Sequence, residues 1–519
     1  MKNINKFIIS KIKLWIFIFI FVFSFTFDSI NTYALTEFTK KEIDKYDLNI
    51  TISNFSTMNP ILNKEESVDY FLKLVYDSLF EIDDDYNLEY KLASDINISN
   101  DFKQLDISLR SDIRWHDGTP INPDDVKFSI EYIKNNYQSS YYPLVSNIDK
   151  VLVTGNKNLS IYLKSKDPFC DKKMIFPIIP MHSYSNLNVK KSKLKASNIV
   201  GSGIYKIYNI NNKEIDLISN EDYYLKKANI KNIKCKIVPS FDTRIHMLES
   251  RESDITNINT IDARKYSNKD FNVIDYSSRE FVFLRLNDED EKLQNENINK
   301  FLINAIDKDA ILKEIYVDKG EVNSLPLHKK TKYYNHDLIE VYNKDDAYSY
   351  IQKYAQEKEI KEDLNTYLSL NLLVSKEDEN KISIAYKLKK DFMDLKVNLN
   401  IIELNNEDFL KKIEKKDYEL ALMTWKMPVY PQIKNYYYLQ NNFNRKNNNL
   451  NLAFNNFINS NKDSYLNDYK ILQKNIFENL FNVGLLIKSN SLIIDKNIKG
   501  NLSPNSFNIY NGIENLDLK

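Results

Sequence analysis

Residues 109–130 read LRSDIRWHDGTPINPDDVKFSI, and the stretch carries three local signals in a row. Gln104 to Leu109, leading into it, alternates polar and apolar residues, the period of a half-buried strand. Asp117-Gly118 then supplies a tight turn that Pro120 stiffens. Asn122 is placed to cap a helix whose first residue is Pro123, where the missing N–H of proline costs nothing. Asp124 and Asp125 fall at the positive end of that helix. A strand, a turn and a capped amphipathic helix are therefore expected in succession.

The segments on either side extend the pattern. Leu48 to Ile52 reads as a short strand running into Thr57-Met58-Asn59-Pro60, and Ser67 to Phe80 places Val68, Phe71, Leu72, Val75 and Leu79 at helical spacing. Downstream come Pro177-Ile178-Ile179-Pro180-Met181-His182 and Val200-Gly201-Ser202-Gly203-Ile204-Tyr205. The chain has only eight glycines, so two of them one residue apart point to a geometric need. No third Gly, Lys or Ser/Thr completes a phosphate-cradling loop there. A strand is expected at Ile233 to Val238 and a helix at Asp242 to Glu249, with Arg251 where a glycine would make the usual helix cap. In the second half, strands at 367–374, 397–402 and 418–424 alternate with helices at 381–392 and 408–413, which argues for parallel strands covered by helices. Leu485 to Lys488 and Ser491 to Ile494 read as two short strands, and the Asn-rich run 441–451 as a loop.

A chain of 519 residues exceeds one ordinary core, so two or three lobes are expected. Its 72 basic and 72 acidic side chains balance, and no basic stripe argues for nucleic acid. Lys2, Lys6, Lys11 and Lys13 precede an apolar run from Leu14 to Phe27, followed by Thr32-Tyr33-Ala34. This is the layout of a secretory signal peptide cleaved after Ala34; an uncleaved anchor is the alternative. The run is short of the roughly 20 residues a membrane-spanning helix needs. Cys170 and Cys235 are expected as buried free thiols, Cys235 because it alternates with Ile233 and Ile237 on one strand face.

The order of these segments resembles that of the extracytoplasmic solute-binding proteins of family 5, the oligopeptide, dipeptide and nickel binding components of ABC importers. Trp115 to Pro120, Tyr76-Asp77-Ser78-Leu79-Phe80, Pro177 to His182, Gly201-Ser202-Gly203, Asn220 to Tyr224 and Ala305-Ile306-Asp307 carry the resemblance, which spans nearly all of residues 46–519. It implies an α/β fold like that of type II periplasmic binding proteins, two lobes around a ligand cleft with an extra subdomain in lobe I. On that template residues 1–34 are the signal peptide or anchor and 35–45 a linker. Residues 46–276 form lobe I, with the inserted subdomain at about 61–190; 277–480 form lobe II, and 481–519 return to lobe I. It further implies a monomer exported to the extracellular face of the membrane, a peptide or other small solute as ligand, and an ABC permease and ATPase as partners. Family members in single-membrane bacteria are usually held by a lipidated Cys after the apolar run, and no Cys precedes Cys170 here.

The strand ending at Met423-Thr424-Trp425 matches the family's Gly-Trp at the cleft, and in peptide-binding members an Asp just after that Trp pairs with the ligand's ammonium. This chain instead reads Trp425-Lys426-Met427-Pro428-Val429-Tyr430, with Pro428 or Val429 where the carboxylate would lie. Burying an ammonium without a counter-charge costs several kcal/mol or more. The ligand-binding candidates are therefore Phe55, Met58, Trp425, Lys426, Met427 and Tyr430, a set suited to apolar bulk or to an anionic group near Lys426. The competing reading makes Met427 and Tyr430 core residues and leaves Lys426 in solvent. The five histidines lack ligand spacing and no nucleophile–base pair stands out, so neither a metal, a cofactor nor catalysis is expected. Glu65-Glu66 and Asp83-Asp84-Asp85 read as solvated turn or helix-start charges. A second function class is a sensor that keeps the scaffold without transport, presenting a bound signal peptide to a membrane partner.

Overall fold

The computed structural model describes residues 47–186, 195–267, 270–338, 342–361, 365–433, 448–478 and 482–518. The expected signal peptide and linker, and residues 441–447 of the Asn-rich run, lie outside them; from Asn448 that run is helix, not loop. Among the described residues no helix is long and apolar enough to cross a membrane.

The chain opens with β1 (Asp47–Ile52) and α1 (Glu66–Leu72). The hairpin β2 (Phe80–Ile82) and β3 (Leu88–Tyr90) leads to β4 (Ala93–Ile98), β5 (Gln104–Leu109), α2 (Pro123–Asn135), β6 (Ile148–Val153) and β7 (Asn158–Leu163). Strands β4, β5, β7 and β6 form their own antiparallel sheet. Then follow β8 (Tyr205–Ile210), β9 (Glu214–Ser219), β10 (Asn232–Ile237), α3 (Phe241–Glu249), β11 (Ile255–Asn259) and the long β12 (Phe271–Leu286). The second half contains α4 (Glu296–Ala305), α5 (Lys308–Ile315), β13 (Gly320–Val322), α6 (Lys344–Glu357), β14 (Leu368–Ser375), α7 (Glu379–Met393), β15 (Val397–Leu404), α8 (Asn406–Glu414) and β16 (Leu420–Lys426). Helices α9 (Asn448–Asn459) and α10 (Tyr465–Glu478) precede the long β17 (Asn482–Asp495).

The opening motif folds as its local chemistry dictates and then ties distant segments together. The Asn122 side chain accepts from Asp124 N at 2.9 Å while Asp125 accepts from Asn122 N at 3.1 Å, a reciprocal cap. The buried Asp125 carboxylate also takes Trp115 Nε1 (3.3 Å) and the amide of Met181 (3.0 Å), which anchors the Pro177–His182 segment. His116 accepts the Gly201 amide at Nδ1 (3.2 Å) and reaches Gly203 O through Nε2 (3.0 Å). The two glycines are needed for space, not for a left-handed backbone: a Cβ on Gly201 would lie 2.0 Å from Val75 O, and one on Gly203 2.5 Å from Leu74 O.

That contact also shortens α1. The apolar spacing predicts a helix to Phe80, yet it ends at Leu72. The Val75 carbonyl, which would continue the helix, instead accepts from Ser202 N (3.0 Å) and Gly203 N (2.8 Å), and Leu74 O from Tyr205 N (2.9 Å). At the end of α3, Arg251 fills the expected glycine position by adopting φ +60° itself and pairs with Asp270 at 2.8 Å.

The main sheet runs β15-β14-β16-β12-β17-β11-β1-β10-β9-β8, with β13 added to β17. β1 lies parallel between β10 and β11, and β14 parallel between β15 and β16, as the alternation of strand and helix predicts. One apolar core surrounds β1 and the four-stranded sheet; a second is built by α4 to α7 on strands β12 and β14 to β17, with α8 on the opposite face. Segments 325–334, 430–433 and 450–476 pack into the first core although the chain around them builds the second. Among the described strands of the main sheet, β12 and β17 are the two that pass from one core region to the other. β17 is one continuous strand instead of the two short ones expected; Ser489 and Asn490, which break its apolar pattern, pair with Ser277 and Tyr276 where the strands cross between cores. Just there the β12–β17 ladder breaks between Ser277 and Phe281. Both cysteines are buried free thiols.

Candidate functional site

The end of β16 meets this crossing. Trp425 lies opposite Phe281 on β12, and Lys426 opposite Glu280. The half-buried Trp425 ring packs with Phe281, Phe283, Met427 and Ile487. Arg279 extends the β12–β16 pairing by one residue: Met427 N donates to Arg279 O at 2.7 Å, and Arg279 Nη1 to Met427 O at 3.3 Å. Met427 is 1% exposed. Tyr430 is buried in the first core beneath the Lys173 ammonium, 4.5 Å from its ring centre, and burial raises its phenol pKa. Phe55 and Met58 are buried in the same core. Lys426 alone of the six candidates stands exposed, with Nζ 2.8 Å from Glu66 Oε1 at the start of α1. The structure thus gathers Trp425, Lys426 and Met427 at the crossing and sets Phe55, Met58 and Tyr430 into the first core.

Glu66 borders a cleft of about 320 Å³, within the size range of small-molecule sites. Its floor is the carboxyl end of β1, Thr51 with Ser53 just beyond it, and the parallel strand β11, Ile255 to Asn259, which starts level with that end; the starts of α1 and α3, Asn490 of β17 and Tyr510 also line it. Crevices at the carboxyl ends of parallel strands, where neighbours lie on both sides of a central strand, are the general ligand position of open α/β sheets. Polar groups converge on it. Ser53 Oγ and N both meet Ser67 Oγ, at 2.8 and 2.9 Å. Tyr276 OH donates to Asn257 Oδ1 at 2.6 Å, and burial pushes that phenol above its usual range. Tyr70 OH donates to Glu66 Oε1 at 3.4 Å. Arg244 stacks on the Phe241 ring at 5.4 Å, and burial lowers its pKa.

Sequence reasoning missed most of this cleft. Glu66 reads locally as a solvated helix-start charge because its partner Lys426 is 360 residues away. Arg244, Thr256 and Asn490 come from three separate elements with no shared spacing, so no pattern in the chain joins them. Among the described residues no group of three or more His, Cys, Asp or Glu is placed to hold a metal.

A family profile for bacterial extracellular solute-binding proteins, family 5 middle, matches residues 87–448. The chain belongs to this family. It is 20% identical over 289 residues to the oligopeptide-binding protein AppA of Bacillus subtilis (strain 168), covering 53% of this chain and 52% of AppA. It is 23% identical over 365 residues to the dipeptide-binding protein of Escherichia coli (strain K12), covering 64% of this chain and 66% of that protein. By sequence, then, the chain spans about half the length of AppA. The crystal structure of the ABC transporter substrate-binding protein CtaP from Listeria monocytogenes matches with a TM-score of 0.76 at 19% identity, over 91% of this chain and 100% of that one. That likeness establishes the fold of this family 5 member as the two-lobed type II periplasmic-binding-protein architecture.

Proposed function

We propose that the chain is the extracytoplasmic binding component of an ABC importer, which takes a peptide or a solute of similar size into the cleft between its lobes and hands it to a permease driven by an ATPase. The observation that carries this reading is the position of the cleft. It is lined by the first lobe and by Asn490 of β17, one of the two strands of the main sheet that, among the described residues, run from one core region to the other, and the Lys426–Glu66 pair brings the end of β16 from the second lobe to its rim. Rotation of the lobes about such a crossing opens and shuts the pocket, and closure is what a permease can read. The first lobe comprises β1 to β11 with the end of β17, the second the α4–β16 unit, and the hinge lies at residues 277–281 and 487–489. Trp425 and Lys426 contact ligand from the second lobe, while Phe55, Met58, Met427 and Tyr430 hold the cleft's shape from behind. The peptide class is supported by the oligopeptide-binding and dipeptide-binding relatives. Residues 1–34 direct export, and the chain performs no chemistry on its cargo. Mass spectrometry of what the purified protein releases on denaturation tests this. A ladder of peptides is expected; a single non-peptide mass, or an empty protein that no peptide pool stabilises, overturns it.

A further inference from the structure

Arg244 is an unusual residue in this cleft. Its Nε is buried without a hydrogen-bond partner, and among the described residues its guanidinium forms no ion pair; stacking on Phe241 is its main contact. A half-buried guanidinium with unmade donors carries a desolvation cost that a bound acceptor relieves. A second buried polar atom lines the same cavity unpaired: Thr256, 6% exposed, whose Oγ1 also lacks a partner. The carboxylates of Glu65 and Glu66 border the cavity without reaching the guanidinium, and Glu66 is already engaged by the Lys426 ammonium. The pocket is thus polarised, with acidic groups at the start of α1 and one unsatisfied planar cation on α3.

We propose that Arg244 is the anion subsite of the cleft and takes a carboxylate of the bound solute. The proposal rests on the reading that the cleft holds a peptide-class ligand, and it adds which end of that ligand the first lobe grips. A carboxylate matches the fork of a guanidinium with two parallel N–H···O bonds. Glu65, at the start of α1, repels a second anion and favours a cation, so the ligand is a zwitterion laid along the pocket with its anionic end on α3. A cleft of about 320 Å³ accommodates a short peptide or one end of a longer one.

The test uses three synthetic tripeptide pools with identical neutral side chains: one with free C-terminal carboxylates, one C-terminally amidated, and one amidated but carrying a single Asp. Affinities come from calorimetry on the whole protein, and the melting temperature of the ligand-free protein is read alongside. The wild type is expected to bind the free-carboxylate pool about 10- to 100-fold more tightly than the amidated one, the range for a lost charge-assisted bond. Arg244→Gln should abolish that preference and Arg244→Lys keep part of it, with the ligand-free melting temperature of both unchanged or raised. Preference for the Asp-bearing pool over the plain amide, lost in Arg244→Gln, identifies a side-chain carboxylate as the group held. Equal binding of acid and amide by the wild type overturns the Arg244 assignment and leaves peptide binding standing. A parallel fall of melting temperature and affinity in Arg244→Gln makes the residue structural and also overturns it. Failure of all three pools to bind the wild type removes the peptide reading itself, and this assignment with it.

Discussion

Gly201→Ala places a methyl group where the chain has no room. The ideal Cβ falls 2.0 Å from Val75 O and 2.9 Å from Val75 Cγ1, so one backbone must move away from the other. Four hydrogen bonds depend on that approach: Ser202 N and Gly203 N to Val75 O (3.0 and 2.8 Å), His116 N to Gly201 O (2.8 Å), and Gly201 N to His116 Nδ1 (3.2 Å). At a net ~0.5 to 1.5 kcal/mol each, their loss costs about 2 to 6 kcal/mol. That is a large share of the 5–15 kcal/mol typical of a folded domain. Gly155→Ala is the matched control, since its Cβ meets nothing nearer than Asn158 Nδ2 at 3.5 Å. Guanidinium unfolding followed by the fluorescence of Trp115, which is 2% exposed and sits within this cluster, reads the effect; Trp425→Phe in the background removes the signal from the strand crossing. If Gly201→Ala and Gly155→Ala unfold at the same denaturant concentration, the close approach is not what holds the motif together.

Two further outcomes follow from groups already placed. His116 is buried with its pKa lowered to about 4, mainly by desolvation, and a proton on Nδ1 would face the Gly201 N–H that this nitrogen accepts. The folded pKa lies below the unfolded value near 6.5, so the unfolded state binds the extra proton first and stability falls as pH drops from about 6.5 to 4. The full loss is roughly 3 kcal/mol, and melting curves across that range should flatten in His116→Gln; an unchanged slope would exclude His116 as the titrating group. The Lys426–Glu66 pair is more than half exposed, so it adds at most about 1 kcal/mol to stability. Lys426→Met should therefore leave unfolding nearly unchanged while altering the salt dependence of ligand binding; an equal salt slope in variant and wild type would place Lys426 outside the site.

Local chemistry made much of the fold legible. The cap at Asn122, the Asp117-Gly118 turn and the period of β5 involve neighbours within a few residues, and β5 ends at the residues its alternation predicts. The β14–α7–β15–α8–β16 alternation was readable for the same reason. Apart from the Asn-rich run, whose composition hides the helix that starts at Asn448, the failures were non-local. α1 stops early because carbonyls of residues 74 and 75 are claimed by a loop more than a hundred residues away. β17 was split in two because Ser489 and Asn490 interrupt its apolar pattern, and only the three-dimensional arrangement shows that they pass between cores. Phe55, Met58, Met427 and Tyr430 have the composition of a ligand platform and also of a core, and all four are buried. The Arg244 pocket had no signature at all, since its walls come from segments scattered between Thr51 and Tyr510.

The broken ladder between Ser277 and Phe281 concentrates compliance in a very small part of a large molecule. From Phe271 to Ser277 β12 and β17 are paired residue by residue, and beyond the break only a one-residue shift between Val282 and Phe283 interrupts the pairing, so bending concentrates at Ser278, Arg279 and Glu280. Those three residues are also held by others: Arg279 clasps the backbone of Met427, and Glu280 pairs with Lys488 at 3.1 Å. The joint is therefore sprung rather than loose. If the lobes rotate here as proposed, a substitution at Arg279, which does not line the cleft, is expected to change the resting angle between them and so the fraction of molecules presented shut, without altering an atom that lines the pocket.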